Sequence, residues 1–142
     1  MPEENVIKSL IEAALSARQA SYSPYSNYQV GAALLTESGT IYTGCNIENA
    51  AYSPTNCAER TAFFKAVSEG ERNFRAIAIV GGAKAKDIDN YAYPCGVCRQ
   101  VMVEFCDADK FWVIAARSIT EYIVKTLSEL LPDSFGSTNL ER

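Results

Sequence analysis

Two short stretches of the chain contain residue types that can form a metal centre. Cys57 and Glu59 lie in Asn-Cys-Ala-Glu-Arg, and Cys95 and Cys98 lie in Pro-Cys-Gly-Val-Cys. A C-x-x-C pair at the start of a helix places two sulfurs on one turn, where both can bind the same ion. The unpaired N–H groups of a helix start favour thiolates, and Cys57 at the start of another helix has the same advantage. Three thiolates leave the fourth tetrahedral position of zinc for water, which is typical of catalytic sites.

Two charged residues after Cys57 could assist such a site. Glu59 would be near a metal held by Cys57 and could move protons to and from its bound water. Three thiolates donate charge to the ion and oppose acidification of that water, and Arg60 is placed to compensate with positive charge. Each motif alone is a weak or moderate indication, since redox proteins also use C-x-x-C. Together, in this order, they predict hydrolytic zinc chemistry.

Composition limits the classes of protein to which the chain can belong. With 142 residues and 48% apolar composition, it has the size of one domain over residues 1–142, ending in a polar tail over 132–142. The chain contains no histidine, which excludes Ser-His-Asp and Cys-His catalysis and limits metal ligands to Cys, Asp and Glu. Its five cysteines are odd in number, which favours reduced thiols or metal ligands over a disulfide framework.

Charge and hydropathy argue against two kinds of partner. The net charge is −4 and the basic residues are scattered, whereas a nucleic-acid surface needs clustered Lys and Arg. No run of about 18 apolar residues could cross a bilayer, and the start Met-Pro-Glu-Glu lacks the basic residues of a signal peptide. We therefore expect a cytoplasmic protein with no nucleic-acid or membrane partner, although a free nucleoside stays possible as a ligand.

Hydrophobic periodicity and turn residues predict the elements that position the two motifs. The predicted order is a helix over 5–20, strands over 28–36 and 40–47 forming a hairpin, a helix over 57–69, a strand over 75–80, a polar loop over 81–93, a helix over 94–105, a strand over 111–116 and a short helix over 127–131. Two strand–helix–strand crossovers predict a mixed sheet with helices on both faces. Helix N-termini gather at the carboxyl ends of the strands in such sheets, so Cys57 can meet Cys95 and Cys98.

The sequence resembles the zinc-dependent cytidine deaminases of the small, homotetrameric class. The resemblance runs from about Ser21 to the region of Phe135, and Cys57 stands where many relatives have His. Besides the two motifs, it rests on the blocks 22–26 (Tyr-Ser-Pro-Tyr-Ser), 30–34 (Val-Gly-Ala-Ala-Leu), 44–50 (Gly-Cys-Asn-Ile-Glu-Asn-Ala) and 98–100 (Cys-Arg-Gln). It implies a three-layer α/β/α cytidine deaminase-like fold with a mixed five-stranded sheet, and a homotetramer.

The resemblance also implies a metal centre and a reaction. Cys57, Cys95 and Cys98 would bind one Zn²⁺ per subunit, Arg60 would hydrogen-bond the thiolates, and Glu59 would be the proton shuttle. The implied activity, part of pyrimidine salvage, is hydrolytic deamination of cytidine and deoxycytidine to uridine and deoxyuridine plus ammonia. Zinc-bound hydroxide would attack carbon 4 of the base.

Five further residues would bind the nucleoside if the resemblance holds. Asn46 and Glu48 would bind ribose hydroxyls, and the backbone of Ala58 would help to hold the pyrimidine ring. Tyr28 would stack on the base, although the family usually has Phe there and the extra hydroxyl needs a partner. Phe135 matches a phenylalanine that family members lend to a neighbouring subunit's site.

Three alternatives stay open at this stage. A deaminase of the same fold could act on another aminopyrimidine, as the blasticidin type does. A structural or interaction module could hold zinc with Cys45 or Cys106 as a fourth ligand, although buried free thiols are the more common role of such cysteines. A dithiol oxidoreductase could use Cys95 and Cys98 as its redox pair.

Overall fold

The computed structural model describes residues 1–140 and contains one mixed five-stranded sheet between helices. In chain order the elements are α1 (Glu4–Arg18), β1 (Tyr28–Thr36), β2 (Ile41–Cys45), α2 (Ala58–Ser68), β3 (Phe74–Ala83), α3 (Gly96–Phe105), β4 (Trp112–Ala116), β5 (Tyr122–Thr126), the single turn α4 (Leu127–Leu130) and a 3₁₀ turn over Ser137–Leu140. The strand order is β2-β1-β3-β4-β5, in which β3 and β4 are parallel and all other neighbours are antiparallel.

The two faces of β3 bury two separate apolar layers. Ile77 and Ile79 pack with residues of α2 and α3, whereas Ala76, Ala78 and Val80 pack against α1 on the other face. Successive side chains of a strand point to opposite faces, so an uninterrupted apolar run suits a strand covered by helices on both sides. This arrangement gives the three layers that were predicted.

The first turn of α2 lies directly on β2. A Cβ at Gly44 would collide with the carbonyl oxygen of Ala58 and would lie 2.6 Å from the backbone nitrogen of Ala62, so only glycine permits this approach. The hydroxyl of Thr61 also donates a 3.0 Å hydrogen bond to the carbonyl of Cys45 at the end of β2. The start of α2 is thereby held at the carboxyl end of the strand.

Most predicted elements are confirmed, with two corrections. The four helices and the first strand lie where the periodicity placed them, to within a few residues. The predicted loop over 81–93 is wrong at its start, because β3 continues through Gly81 and Gly82 to Ala83, paired with the first residues of β1. Periodicity also missed β5, which the resemblance alone implied.

Of the predicted tail over 132–142, residues 141 and 142 lie outside the described residues. No helix within residues 1–140 is long and apolar enough to span a bilayer.

Candidate active site

The metal-binding cysteines lie at the N-termini of two helices. Cys57 directly precedes α2, Cys95 directly precedes α3, and Cys98 is in the first turn of α3. Both preceding cysteines have extended backbone, and neither sulfur makes a capping hydrogen bond to its own helix. The sulfurs are therefore available to a shared ligand, while the helix N–H groups and dipoles favour their ionised form.

The three sulfurs fit the geometry of a zinc ion. They all lie within 4.8 Å of one another, and the sulfurs of Cys57 and Cys95 are 3.7 Å apart. Two sulfurs at about 2.3 Å from one tetrahedral ion lie about 3.8 Å apart, so the observed spacing matches. The chemistry of three sulfur donors also suits zinc, and the predicted convergence of Cys98 with the other two is confirmed.

Arg60 stabilises the thiolate form of the site. Its guanidinium Nη2 donates a 3.2 Å hydrogen bond to the sulfur of Cys57. A hydrogen bond from the Cys98 thiol, aided by Arg60 and Cys95, lowers the pKa of Cys57 to about 5 although desolvation acts in the other direction. Arg60 therefore contacts a sulfur of the three-cysteine cluster, as expected of a residue that supports metal ligands.

Glu59 provides a buried carboxyl group beside the sulfurs. Its side chain is only 4% exposed and lines the same cavity as Cys57 and Cys95. Burial, assisted by the charge of Cys57, raises the pKa of Glu59 to about 7, although a backbone hydrogen bond and the charge of Arg60 act in the opposite direction. A carboxyl group in this environment can both accept and release a proton near neutral pH.

A cavity of about 380 Å³ opens in front of these groups. Its walls include Tyr28 and Ile79 from the sheet, Ala58 from α2, and Ala92 and Tyr93 from the loop before α3. The volume suits a small-molecule ligand, and the mixture of apolar walls with a few polar groups is typical of such sites. Sequence reasoning missed Ala92 and Tyr93, although the position of Tyr93 just before Pro-Cys could have drawn attention to it.

Asn46 lies in this cavity with its side chain held on three sides. Its Nδ2 donates to the carbonyl of Tyr28 at 2.8 Å, and its Oδ1 accepts from the Val30 backbone at 2.9 Å and from the Ser21 hydroxyl. One N–H of the amide is left for a ligand. Through these hydrogen bonds Asn46 connects the start of β1 to the segment after β2. It therefore holds this wall of the cavity in place and also lines the cavity.

Glu48 lies in an adjoining cavity, which shares Thr55 with the first. Its carboxylate accepts hydrogen bonds from the backbone of Tyr25 and Ser26 at 2.9 and 3.1 Å and from the Ser26 hydroxyl. The hydrogen bond from Ser26 is the main reason that the pKa of Glu48 is lowered. Glu48 therefore orders the turn before β1, a role that the sequence did not reveal.

Phe135 is not brought to the cavity of its own chain. Its side chain is 59% exposed, and the Gln100 side chain in α3 donates a 2.8 Å hydrogen bond to its carbonyl oxygen. The C-terminal segment is thus attached to α3 with its phenyl group facing outward. Among residues 1–140, the cavity walls do not include this residue.

The remaining cysteines do not extend the metal site. Within the described part of the chain, neither Cys45 nor Cys106 joins the three-sulfur cluster, and burial raises the pKa of both thiols. This removes the alternative of a fourth sulfur ligand. Cys95 and Cys98 are also not an isolated redox pair, because the sulfur of Cys57 lies beside that of Cys95.

Known proteins resemble the chain in both sequence and fold. Residues 4–115 match the family model described as the cytidine and deoxycytidylate deaminase zinc-binding region. A cytidine deaminase of Sporosarcina psychrophila is 49% identical over 134 residues, covering 94% of each chain. A probable cytidine deaminase of Dictyostelium discoideum is 41% identical over 134 residues, which are 94% of this chain and 86% of that protein.

A solved structure confirms the predicted fold. The 1.6 Å crystal structure of cytidine deaminase from Burkholderia pseudomallei has a TM-score of 0.79 and 46% identity, covering 89% of this chain and 97% of that one. The family match spans all three clustered cysteines as well as Glu59. The chain therefore belongs to the cytidine and deoxycytidylate deaminase family, and Cys57, Cys95 and Cys98 are the ligands of its zinc-binding region.

Proposed function

We propose that this protein is a zinc-dependent hydrolase that converts cytidine and deoxycytidine to uridine and deoxyuridine with release of ammonia. The observation that carries the proposal is a cluster of three cysteine sulfurs, of which Cys57 and Cys95 line one cavity together with the buried Glu59 carboxyl group. The relatives named as cytidine deaminases support the choice of substrate. A cavity of about 380 Å³ is of the right order for one nucleoside.

Glu59 carries the protons of the reaction. Zinc held by the three cysteines supplies, when bound, a Lewis acid that acidifies a water molecule in the cavity. Glu59 accepts a proton from the attacking water and donates it to nitrogen 3 of the cytosine ring, which makes carbon 4 electrophilic. The oxygen of this water forms a bond to carbon 4. Glu59 then moves the proton of the resulting carbon-4 hydroxyl to the amino group, so that the carbon–nitrogen bond breaks, ammonia leaves and carbon 4 becomes the carbonyl of uracil. Burial of Glu59 keeps this exchange away from bulk water.

The other cavity residues and Glu48 of the adjoining cavity bind and orient the nucleoside. Tyr28 stacks on the base, and the backbone of Ala58 at the first turn of α2 holds the ring over Glu59. The free amide N–H of Asn46 and the carboxylate of Glu48 bind ribose hydroxyls. The hydrogen bonds that already hold Asn46 and Glu48 support this assignment, because they orient both groups before the substrate enters.

The assembly is a homotetramer in which Phe135 completes the site of a neighbouring subunit. The exposed phenyl group on a tail tied to α3 supports this, since an isolated chain would leave it in water. The protein acts in the cytoplasm as one domain over residues 1–142. The odd number of cysteines and the assignment of three of them to zinc support a reducing compartment.

Ammonia release from cytidine by the zinc-loaded protein tests the proposal, with free cytosine as the parallel substrate. Turnover of cytidine with little turnover of cytosine is expected, because Asn46 and Glu48 have no ribose to bind in cytosine. Absence of cytidine turnover by folded, zinc-loaded protein would refute the substrate assignment. Parallel assays with deoxycytidine and blasticidin distinguish the nucleoside activity from that of other aminopyrimidine deaminases.

A further inference from the structure

The ring of Tyr28 occupies space that a side chain at position 81 would need. The register of β1 and β3 pairs Val30 with Gly81, so Tyr28 is the diagonal neighbour of Gly81 on the same face of the sheet. A Cβ at Gly81 would lie 3.0 Å from Tyr28 Cε2, 3.2 Å from Tyr28 Oη and 2.9 Å from the Cβ of Ala92. These separations are all shorter than ordinary van der Waals contacts.

The two strands cannot separate easily to relieve such a contact. Arg18 at the end of α1 is 7% exposed, and its Nε donates to the carbonyl of Gln29 in β1 at 2.9 Å. Its Nη2 donates to the carbonyls of Gly82 and Ala83 in β3 at 2.9 and 3.1 Å. One guanidinium therefore ties together the strand ends that carry Tyr28 and Gly81, so a clash would be absorbed by the ring or by Ala92.

We propose that Gly81 is a positioning residue for the substrate pocket, because its missing side chain sets where the Tyr28 ring lies. The inference rests on the proposed function, in which Tyr28 stacks on the base. Tyr28 and Ala92 line the cavity whereas Gly81 lies behind them, so displacement of either one narrows the cavity. To restore a usual carbon–carbon contact of 3.5–4.0 Å, the ring must move by about 0.5–1 Å.

The chain offers a matched pair of substitutions, Gly81→Ala and Gly82→Ala. Neither glycine has a positive φ, so alanine causes no backbone strain at either position. A Cβ at Gly82 would meet Ile88 Cγ1 at 3.3 Å and the Arg18 guanidinium at 3.5 Å, on the face away from the cavity. The two variants thus make the same chemical change on opposite faces of one strand.

We expect Gly81→Ala to raise the KM for cytidine about fivefold or more, the factor that corresponds to losing about 1 kcal/mol of base stacking. Most of the fall in kcat/KM should come from KM, with zinc content unchanged, while Gly82→Ala stays within about twofold of wild type. Equal KM values for the two variants would overturn the proposal. So would a wild-type KM in Gly81→Ala.

A double-mutant cycle separates this role from a general structural one. Tyr28→Leu combined with Ala92→Gly removes all three atoms that the new Cβ would meet, so adding Gly81→Ala to this background should change KM by less than about twofold. The same increase on both backgrounds would show that the new Cβ acts elsewhere, which contradicts the inference. If Gly81→Ala alone does not fold, folding of the variant that combines it with Tyr28→Leu and Ala92→Gly supports the clash, and failure of that variant to fold refutes it.

A crystal structure of Gly81→Ala provides a readout that does not depend on turnover. The Tyr28 ring should be displaced toward the cavity relative to wild type, and an unmoved ring would overturn the inference. If the wild-type protein does not deaminate cytidine, the proposed function fails while the ring displacement still decides the role of Gly81.

Discussion

Replacement of Arg18 by methionine should destabilise the protein through a defined set of contacts. The guanidinium donates three hydrogen bonds to carbonyl oxygens of β1 and β3. Only the hydrogen bond to the carbonyl of Gly82 is fully buried. Loss of the guanidinium would remove this donor from the Gly82 carbonyl oxygen, at a cost of about 1–3 kcal/mol. The carbonyls of Gln29 and Ala83 are partly accessible to water, and each bond there contributes about 0.5–1.5 kcal/mol.

The sum predicts a loss of roughly 2–6 kcal/mol for Arg18→Met, because methionine keeps the apolar stem but none of the donors. For a domain of this size, about 1 kcal/mol corresponds to about 2–4 °C in Tm, so a fall of roughly 4–24 °C is expected. The variant should also raise the KM for cytidine, since the strand ends that carry Tyr28 and Gly81 are no longer tied together.

Lys8→Met is the matched control, because it removes a positive charge from the same helix at an exposed site. The only ion pair of Lys8 within the described residues is with Glu4, at 3.3 Å on the surface, and such pairs contribute at most about 1 kcal/mol. Both variants should be compared by calorimetry at fixed protein and zinc concentrations, since assembly and metal binding shift Tm. If the Tm of Arg18→Met lies within about 2 °C of that of Lys8→Met, the role assigned to Arg18 is wrong.

Three further predictions concern the site. Glu59→Gln should keep zinc and the fold but lower kcat by about 10²–10⁴-fold, and near-normal turnover would contradict the proton shuttle. Arg60→Gln should weaken zinc binding by about 10–100-fold in chelator competition, because the 3.2 Å bond to Cys57 is lost; an unchanged affinity would exclude that role. Phe135→Ala should raise the KM for cytidine while the Tm stays within about 2 °C, and Gln100→Leu should have a smaller effect in the same direction; unaltered KM values would argue against a lent phenyl group.

The helices and the metal site were predictable because their signals are local. Cys57, Cys95 and Cys98 can be recognised from spacing and from the helix starts that follow them, and their convergence follows from crossover topology. β5 has no comparable signal: it follows β4 closely at the edge of the sheet, and all five of its residues are only half-buried. An edge strand of this kind has neither a continuous apolar run nor a sharp alternation.

The other incorrect prediction concerns a residue whose role depends on a residue that is distant in sequence. Gly81-Gly82 was interpreted as the start of a loop because paired glycines commonly mark turns. In the structure both lie in β3, and the missing side chain of Gly81 makes room for the Tyr28 ring. Glu48 also has a role that its sequence position did not indicate, because its carboxylate accepts hydrogen bonds from the turn residues Tyr25 and Ser26; its ribose-binding role stays a prediction.

Two glycines therefore shape this site through close approaches that the amino-acid composition does not predict. Gly44 lets the first turn of α2 lie on β2, which places Cys57 and Glu59 at the floor of the cavity. Gly81 lets the Tyr28 ring lie against β3, which sets the position of the wall. A substitution at Gly44 would meet backbone atoms, which cannot yield, so it should disturb the metal site and the fold together. A substitution at Gly81 meets a side chain that can move, so its effect should be concentrated on substrate binding.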